Sequence, residues 1–320
     1  TCPSGVQYGR LLDIARELLV KKSKRPVAFR FKSFLARLII PRDLLFRPLL
    51  RCGQFLRPAL PAAIAHKVPP KQQPLAVVEK SIERPAGKVL LLQGCAQRAA
   101  TPNVNAALEQ LLATHNIAVS RLADEGCCGA VDYHLSAHER GLRRMRALVD
   151  RLYERLAAVD YIVSSASGCG VTIKEYPSYL VDDPVYAGRA QAVVEKVVDA
   201  VELLGKFEFS CEAVKVAVHT PCTLQHGQGI AGEIERVLER AGAIIVASRD
   251  SHLCCGSAGT YSIMQAEISR QLLARKLVAL QQNSPQLIVT ANIGCQLQLA
   301  SKASVAVMHW AEFLQKHSQT

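Results

Sequence analysis

The sequence predicts an α/β protein of two tandem halves, each built on a parallel sheet, preceded by a mainly helical, basic connector. Three observations carry this reading. Strand-like and helix-like segments alternate from about residue 87 onward, the signature of parallel strands joined by right-handed crossovers. One cysteine pattern occurs twice at a nearly constant offset. Excess positive charge is confined to the first 88 residues.

The first copy of the pattern is Cys95, then Cys127-Cys128-Gly129, then Cys169; the second is Cys222, then Cys254-Cys255-Gly256, then Cys295. The offset is 127 residues for the first three cysteines and 126 for the last, so one duplicated device uses eight of the eleven cysteines. Thiols at fixed offsets, each beside a glycine or at the end of an apolar run, are what a soft metal centre asks of a chain. Disulfides fit poorly: adjacent Cα atoms lie about 3.8 Å apart, short of the roughly 4.4 Å a disulfide needs. The sequence shows neither a secretory leader nor an apolar run of about 18 residues. The expected setting is therefore cytoplasmic and reducing, where clustered thiols serve metals or catalysis more often than staples.

A chain of 320 residues, 49% hydrophobic and only 5% aromatic, suits an interior of small branched side chains. The net charge of +12 suggests nucleic acid until it is located. Residues 1–88 hold 18 Lys and Arg against 5 Asp and Glu, while residues 89–320 hold 21 against 22. The cysteine-bearing body is neutral, which excludes it as a nucleic-acid surface. In the connector, Phe29, Phe31, Phe34, Leu35, Leu38 and Ile39, then Leu44, Leu45, Leu49 and Leu50, run among arginines such as Arg37, Arg42 and Arg47, with prolines including Pro41 and Pro48 as breaks. This pattern fits docking on a partner subunit or an acidic membrane surface, and equally a strap packed along the body. Cys52 is expected to be an ordinary buried thiol.

Each half repeats one order of elements. A strand at 88–93 ends at Gly94-Cys95, and its counterpart at 215–219 ends at Pro221-Cys222. Thr101 is expected to cap a helix with Pro102 at its first position, running to about His115; the matching helix covers about 230–241. Short strands at 117–121 and 244–247 lead into the two Cys-Cys-Gly turns. A capping box at Ser136-Ala137-His138-Glu139 is expected to open a helix that buries Leu142, Met145, Leu148, Val149 and Leu152, and its counterpart runs over 263–281. Third strands at 161–164 and 287–290 lead through Gly168-Cys169 and Gly294-Cys295 into further helices. The segments 198–204 and 308–314 match at an offset of 110, so the first half holds about 16 extra residues around 177–195.

In parallel sheets ligands sit beyond the carboxyl ends of the strands, and every repeated cysteine follows a strand. Each set of four is thus brought to one edge, beside helix N-termini whose dipole favours thiolate. The glycine after each cysteine pair supplies a turn with positive φ. Two separate sites are expected, one per half.

The chain opens on Thr1-Cys2-Pro3, and Cys-Pro is how a ferredoxin run C-x2-C-x2-C-x3-C-P ends. Cys2 is read as a cofactor-binding cysteine at the end of such a motif, with the chain truncated inside it. The expected divisions are 1–86 for the motif end and connector, 87–206 for the first half and 207–320 for the second.

The spacings C-x31-C-C-G-x39-C and C-x31-C-C-G-x38-C resemble the CCG cysteine-rich domain, a Rossmann-like unit found in heterodisulfide reductase, the lactate-utilisation iron-sulfur protein, anaerobic glycerol-3-phosphate dehydrogenase and the glycolate oxidase iron-sulfur subunit. The resemblance covers about 87–318. The opening Thr1 to Arg10, with Ser167-Gly168-Cys169-Gly170, His219-Thr220-Pro221-Cys222 and Asn292-Ile293-Gly294-Cys295-Gln296, is most similar to the glycolate oxidase group. One departure stands out. Heterodisulfide reductase ends its pattern in C-x-x-C, whereas Thr172 and Gln298 occupy the last positions here. That puts its noncubane cluster in doubt, and His219, His252 or Asp124 are candidate substitutes.

The resemblance implies an iron-sulfur electron-transfer subunit, [4Fe-4S] first and zinc as the alternative in one half, held by Cys95, Cys127, Cys128, Cys169, Cys222, Cys254, Cys255 and Cys295. Its partners would be flavin-containing glycolate oxidase subunits, with electrons passing towards a quinone or another acceptor and the chain cytoplasmic or peripheral on the inner membrane. No G-x-G-x-x-G follows a first strand, so no catalytic residue is assigned and substrate chemistry is expected on the partner. Lactate or glycerol 3-phosphate as the partner's substrate, a catalytic centre that reduces disulfides or quinones, and a zinc folding staple are the alternatives.

Overall fold

The computed structural model describes residues 6, 8–23, 25–61, 65, 68–75 and 82–319; Cys2 and its expected cluster lie outside them. Two four-stranded sheets form the body, and every pairing in them is parallel. The first comprises β1 (Gly87–Leu92), β2 (Ile117–Ser120), β3 (Tyr161–Ser164) and β4 (Val197–Asp199) in the order β2-β1-β3-β4. The second repeats it as β6-β5-β7-β8, from β5 (Lys215–His219), β6 (Ile244–Ile245), β7 (Leu287–Thr290) and β8 (Ala306–His309).

Alternation along the strands assigns each face its role. Val89 and Leu91 of β1, with Val216 and Val218 of β5, point into one core shared by the two sheets. Helices Asn103–Thr114, Ala200–Leu204, Glu233–Ala241 and Trp310–Lys316 fill this shared layer with Val104, Leu108, Val201, Ile234, Trp310 and Phe313. The packing is pseudo-twofold: 103–114 lies against 310–316 as its counterpart 233–241 lies against 200–204. Leu90 and Leu92 face the other way, into a cluster with Cys95, Cys127 and Cys128 under helix His138–Tyr153. Ala217 and Ile288 do the same in the second half, with Cys255 and Cys295 under helix Ala266–Gln281. The thiols therefore lie on the two outer faces, each in its own half.

Two expected helix starts are corrected. Thr101 ends the short turn Gln97–Ala100, its N–H donating to the Gln97 carbonyl at 2.8 Å, and the next helix begins at Asn103 with Pro102 before it. Ser136 likewise closes helix Ala130–His134, with φ +61° and its N–H on the Tyr133 carbonyl at 2.9 Å, so no capping box forms there. In both places a short helix carrying the residues just after a cysteine claims the polar residue first. The boxes that do form are Asp199 with Glu202 and His309 with Glu312, at equivalent points of the two halves.

The connector folds as helices Tyr8–Lys22, Val27–Ile39 and Asp43–Leu56. It is fastened by Asp43 to Arg98 at 3.3 Å and Asp13 to His134 at 3.0 Å, so it touches elements that follow Cys95 and Cys128. Pro48 does not break the third helix: its ring denies a partner to the Leu44 carbonyl, on a residue that is 90% exposed. Cys52 is exposed rather than buried, because no residue of that helix enters a core. No described helix is long and apolar enough to cross a membrane.

Both Cys-Cys-Gly glycines have positive φ, 88° at Gly129 and 85° at Gly256. A Cβ on Gly256 would meet the Ser269 carbonyl oxygen at 2.5 Å, and one on Gly129 the Gly141 carbonyl oxygen at 2.8 Å. Gly256→Ala is expected to destabilise the protein by at least ~1–3 kcal/mol from backbone strain alone, read as a lower urea midpoint. An unchanged midpoint would mean that the turn relaxes.

The two cap residues of the shared core titrate in opposite senses. Burial raises the Asp199 carboxyl to about 6 and lowers the His309 imidazole to about 4. The native state holds the extra proton at Asp199 between about pH 4 and 6, so this group's contribution falls as pH rises; the unfolded state holds it at His309 between about 4 and 6.5, so that contribution rises. Relative to the parent, Asp199→Asn should gain stability as pH rises through this window and His309→Asn should lose it. Urea titrations at pH 4.5 and 7 measure both differences.

Candidate metal centres

In the first half, Cys95 lies three residues beyond β1, Cys127 and Cys128 lie in the loop after β2, and Cys169 is the third residue of helix Ser167–Lys174. The Cys95 and Cys127 sulfurs are 3.6 Å apart, and the Cys128 thiol interacts with both Cys127 and Cys169. Leu92, Leu148 and Ile173 line the same small cavity. The turn bearing Cys95 is held by buried Glu125, which accepts the Gln93 N–H at 2.6 Å and the Gly94 N–H at 3.0 Å. Buried Tyr176, at the start of the extra segment of this half, donates its hydroxyl to the Cys128 carbonyl at 2.8 Å.

The second half repeats the arrangement with different surroundings. Cys222 interacts with Cys254, Cys254 with Cys255, and the Cys255 and Cys295 sulfurs are 3.1 Å apart. The Gly256 N–H donates to the Cys254 sulfur at 3.3 Å. Cys295 is the third residue of helix Ile293–Ala300, whose cap Asn292 accepts the Gly294 N–H at 2.8 Å. At the position of Gly94 stands Pro221, which has no N–H, and at that of Glu125 stands exposed His252. The carboxylate is absent where one of the two donors it would hold is absent. Lys276 replaces the apolar Val149 and is buried, with its ammonium donating to the carbonyls of Asp250 and Ser251 at 3.3 and 3.0 Å.

The protonation pattern is also duplicated. Hydrogen bonds from Cys128 and Cys95 hold Cys127 well below the ordinary thiol range, and those from Cys222 and Cys255 bring Cys254 down to about 2. Their donors are raised: Cys95 chiefly by its bond to Cys127, Cys222 by its bond to Cys254. Cys295 falls to about 6, through the bond from Cys255. Each half thus carries thiols, buried or partly buried, sharing protons around a thiolate, an arrangement that a soft cation resolves by displacing the protons.

All eight repeated cysteines are gathered into two groups, one per half, as the duplication predicts. Of the three candidate substitutes, only His219 joins a group: its imidazole, Cys255 and Cys295 offer ligand atoms within 4.8 Å of one another. His252 is exposed, and Asp124 is exposed and bound to Arg151 at 2.9 Å, so both face away. Thr172 donates to the Gly168 carbonyl and Gln298 to the Ser269 hydroxyl, each at 2.9 Å, so both are committed to protein partners. Glu125, Tyr176 and Lys276 are parts of the surroundings that the sequence reading missed. Lys276 carried a signal, since it falls on the buried stripe of Leu273, Leu277 and Leu280.

Comparison with known proteins agrees with this geometry. The cysteine-rich domain CCG matches twice, over residues 89–174 and 216–300. The glycolate oxidase iron-sulfur subunit of Escherichia coli is 44% identical across 99% of this chain and 78% of its own length. A probable glycolate oxidase iron-sulfur subunit of Bacillus subtilis is 28% identical over 93% of this chain and 73% of its own length. Lactate utilization protein A of Bacillus velezensis is 27% identical over 71% of this chain and 98% of its own length. With two matched domains, each enclosing four gathered thiols, this chain belongs to the CCG cysteine-rich domain family, alongside the glycolate oxidase iron-sulfur subunits.

Proposed function

We propose that the chain is the iron-sulfur electron-transfer subunit of a glycolate oxidase complex, taking electrons from a flavin-containing partner and passing them towards a quinone or another acceptor. The observation that supports this most directly is the pair of four-thiol groups, buried or partly buried, each at the carboxyl edge of its own sheet. Cys95, Cys127, Cys128 and Cys169 would hold one centre, and Cys222, Cys254, Cys255 and Cys295 the other. An iron-sulfur cluster bound there supplies a one-electron carrier, the step needed after a two-electron oxidation on a flavin. The chain's own contribution is to enclose the thiols, aim them from beyond the ends of three strands and set the local charge. Substrate chemistry then sits on the partner. Exposed Phe31, Phe34, Leu45 and Leu49 among the connector arginines suit the docking of that partner, at the inner face of the membrane where a quinone is reached.

A second reading has one observation in its favour. His219 with Cys255 and Cys295 is a donor set that zinc accepts, so the second half would carry a folding staple. Iron, acid-labile sulfide and zinc measured on one sample separate the two readings.

Serine in place of Cys127 or Cys254 should lower electron flow from glycolate to a quinone analogue at least tenfold, because a hydroxyl is a poor ligand for soft iron. Flavin bleaching by glycolate in the same assembled complex should persist. Loss of both signals from an intact complex would place substrate chemistry on this chain and sink the conduit reading.

A further inference from the structure

The two halves present the same backbone position with different chemistry. His219 is the last residue of β5, and the repeat places it over Leu92, the last residue of β1. Leu92 packs in the apolar cluster around Cys95, Cys127 and Cys128, where its neighbours ask nothing polar of it. His219 is 1% exposed on the corresponding face; among the described residues no nitrogen or oxygen atom pairs with its ring nitrogens, and the polar contact of the imidazole is with the Cys295 thiol. Its register partner on β7, Thr290, is fully buried and its hydroxyl is unpartnered. Buried polar atoms without partners are costly, and in folded proteins nearly all are satisfied. Two sulfurs stand near the imidazole: Cys255 and Cys295 offer ligand atoms within 4.8 Å of it and of each other.

We propose that His219 bonds iron through a ring nitrogen in the second-half centre, making it a mixed thiolate and imidazole site while the first-half centre is all-thiolate. The inference rests on the proposed iron-sulfur reading and adds an inequivalence between the two sites. A neutral imidazole donates less charge to iron than a thiolate, so it holds the second centre at a higher potential than the same site with sulfur alone. The orphaned Thr290 hydroxyl is placed on the same face to donate to that centre.

The test uses the full chain reconstituted anaerobically with iron and sulfide, prepared with natural and with ¹⁵N-labelled histidine. Reduced samples examined by pulsed EPR should show the strong coupling of a directly bonded histidine nitrogen, changing isotope with the label. His219→Leu, which installs the residue tolerated at the equivalent place in β1, should abolish that coupling, while Cys127→Ser should leave it. His219→Cys should retain iron and move one reduction potential to a more negative value. Iron in both halves without a histidine coupling, a coupling that survives His219→Leu, an unmoved potential in His219→Cys, or zinc in the second half would each overturn the assignment. No iron in either half would instead remove the electron-transfer reading, and this inference with it.

Discussion

Parallel strand pairing is the constraint from which the rest of this molecule follows. It sends every turn from strand to helix to the same edge of its sheet, so cysteines up to 74 residues apart in the chain arrive at one place. Strand parity then selects the face. Alternate residues of β1 and β5 divide between the shared core and the thiol clusters, and a slip of one residue would exchange the two sets. The left-handed glycine in each Cys-Cys-Gly turn tightens the arrangement, bringing the loop backbone against a carbonyl of the following helix.

The duplication conserves the scaffold and varies what fills it. Leu92 and His219, Glu125 and His252, Gly94 and Pro221, Val149 and Lys276 are pairs of equivalent positions whose chemistry differs. Each difference is locally coherent. A carboxylate holds the turn where two N–H groups share it as acceptor, and a proline replaces one of those donors where the carboxylate is missing. A buried ammonium lies over the second group of thiols, steadied by two carbonyls. One architecture thus presents two centres with the same sulfur donors and different electrostatic surroundings.

The shared core makes the halves one body. Helices from each half interdigitate between the sheets, and polar contacts join the halves at the edge where the thiols lie. The Ser167 hydroxyl meets that of Thr223 at 2.8 Å, and the His309 imidazole donates to the Ser165 carbonyl at 3.0 Å. The connector adds a third set of ties through Asp13 and Asp43, so the elements following the first-half cysteines are held from both sides.

The cysteine repeat, the ends of β3 and β7, the positive φ of Gly129 and Gly256 and the presence of two sites were legible in the sequence, because each depends on spacing along the chain or on one residue's own backbone freedom. Helix starts were less so. Thr101 and Ser136 have the chemistry of N-caps, yet a preceding short helix uses each as its terminus, a competition between neighbouring elements that residue type does not reveal. Cys52 looked like a core thiol until its helix proved to bury nothing. Tertiary structure alone singled out His219 from His252 and Asp124, since all three are polar residues near a strand end or turn and differ only in what the crossovers bring against them. The shared core was likewise a tertiary decision. Periodicity marks an apolar face, but which other face covers it depends on packing between segments far apart in the chain.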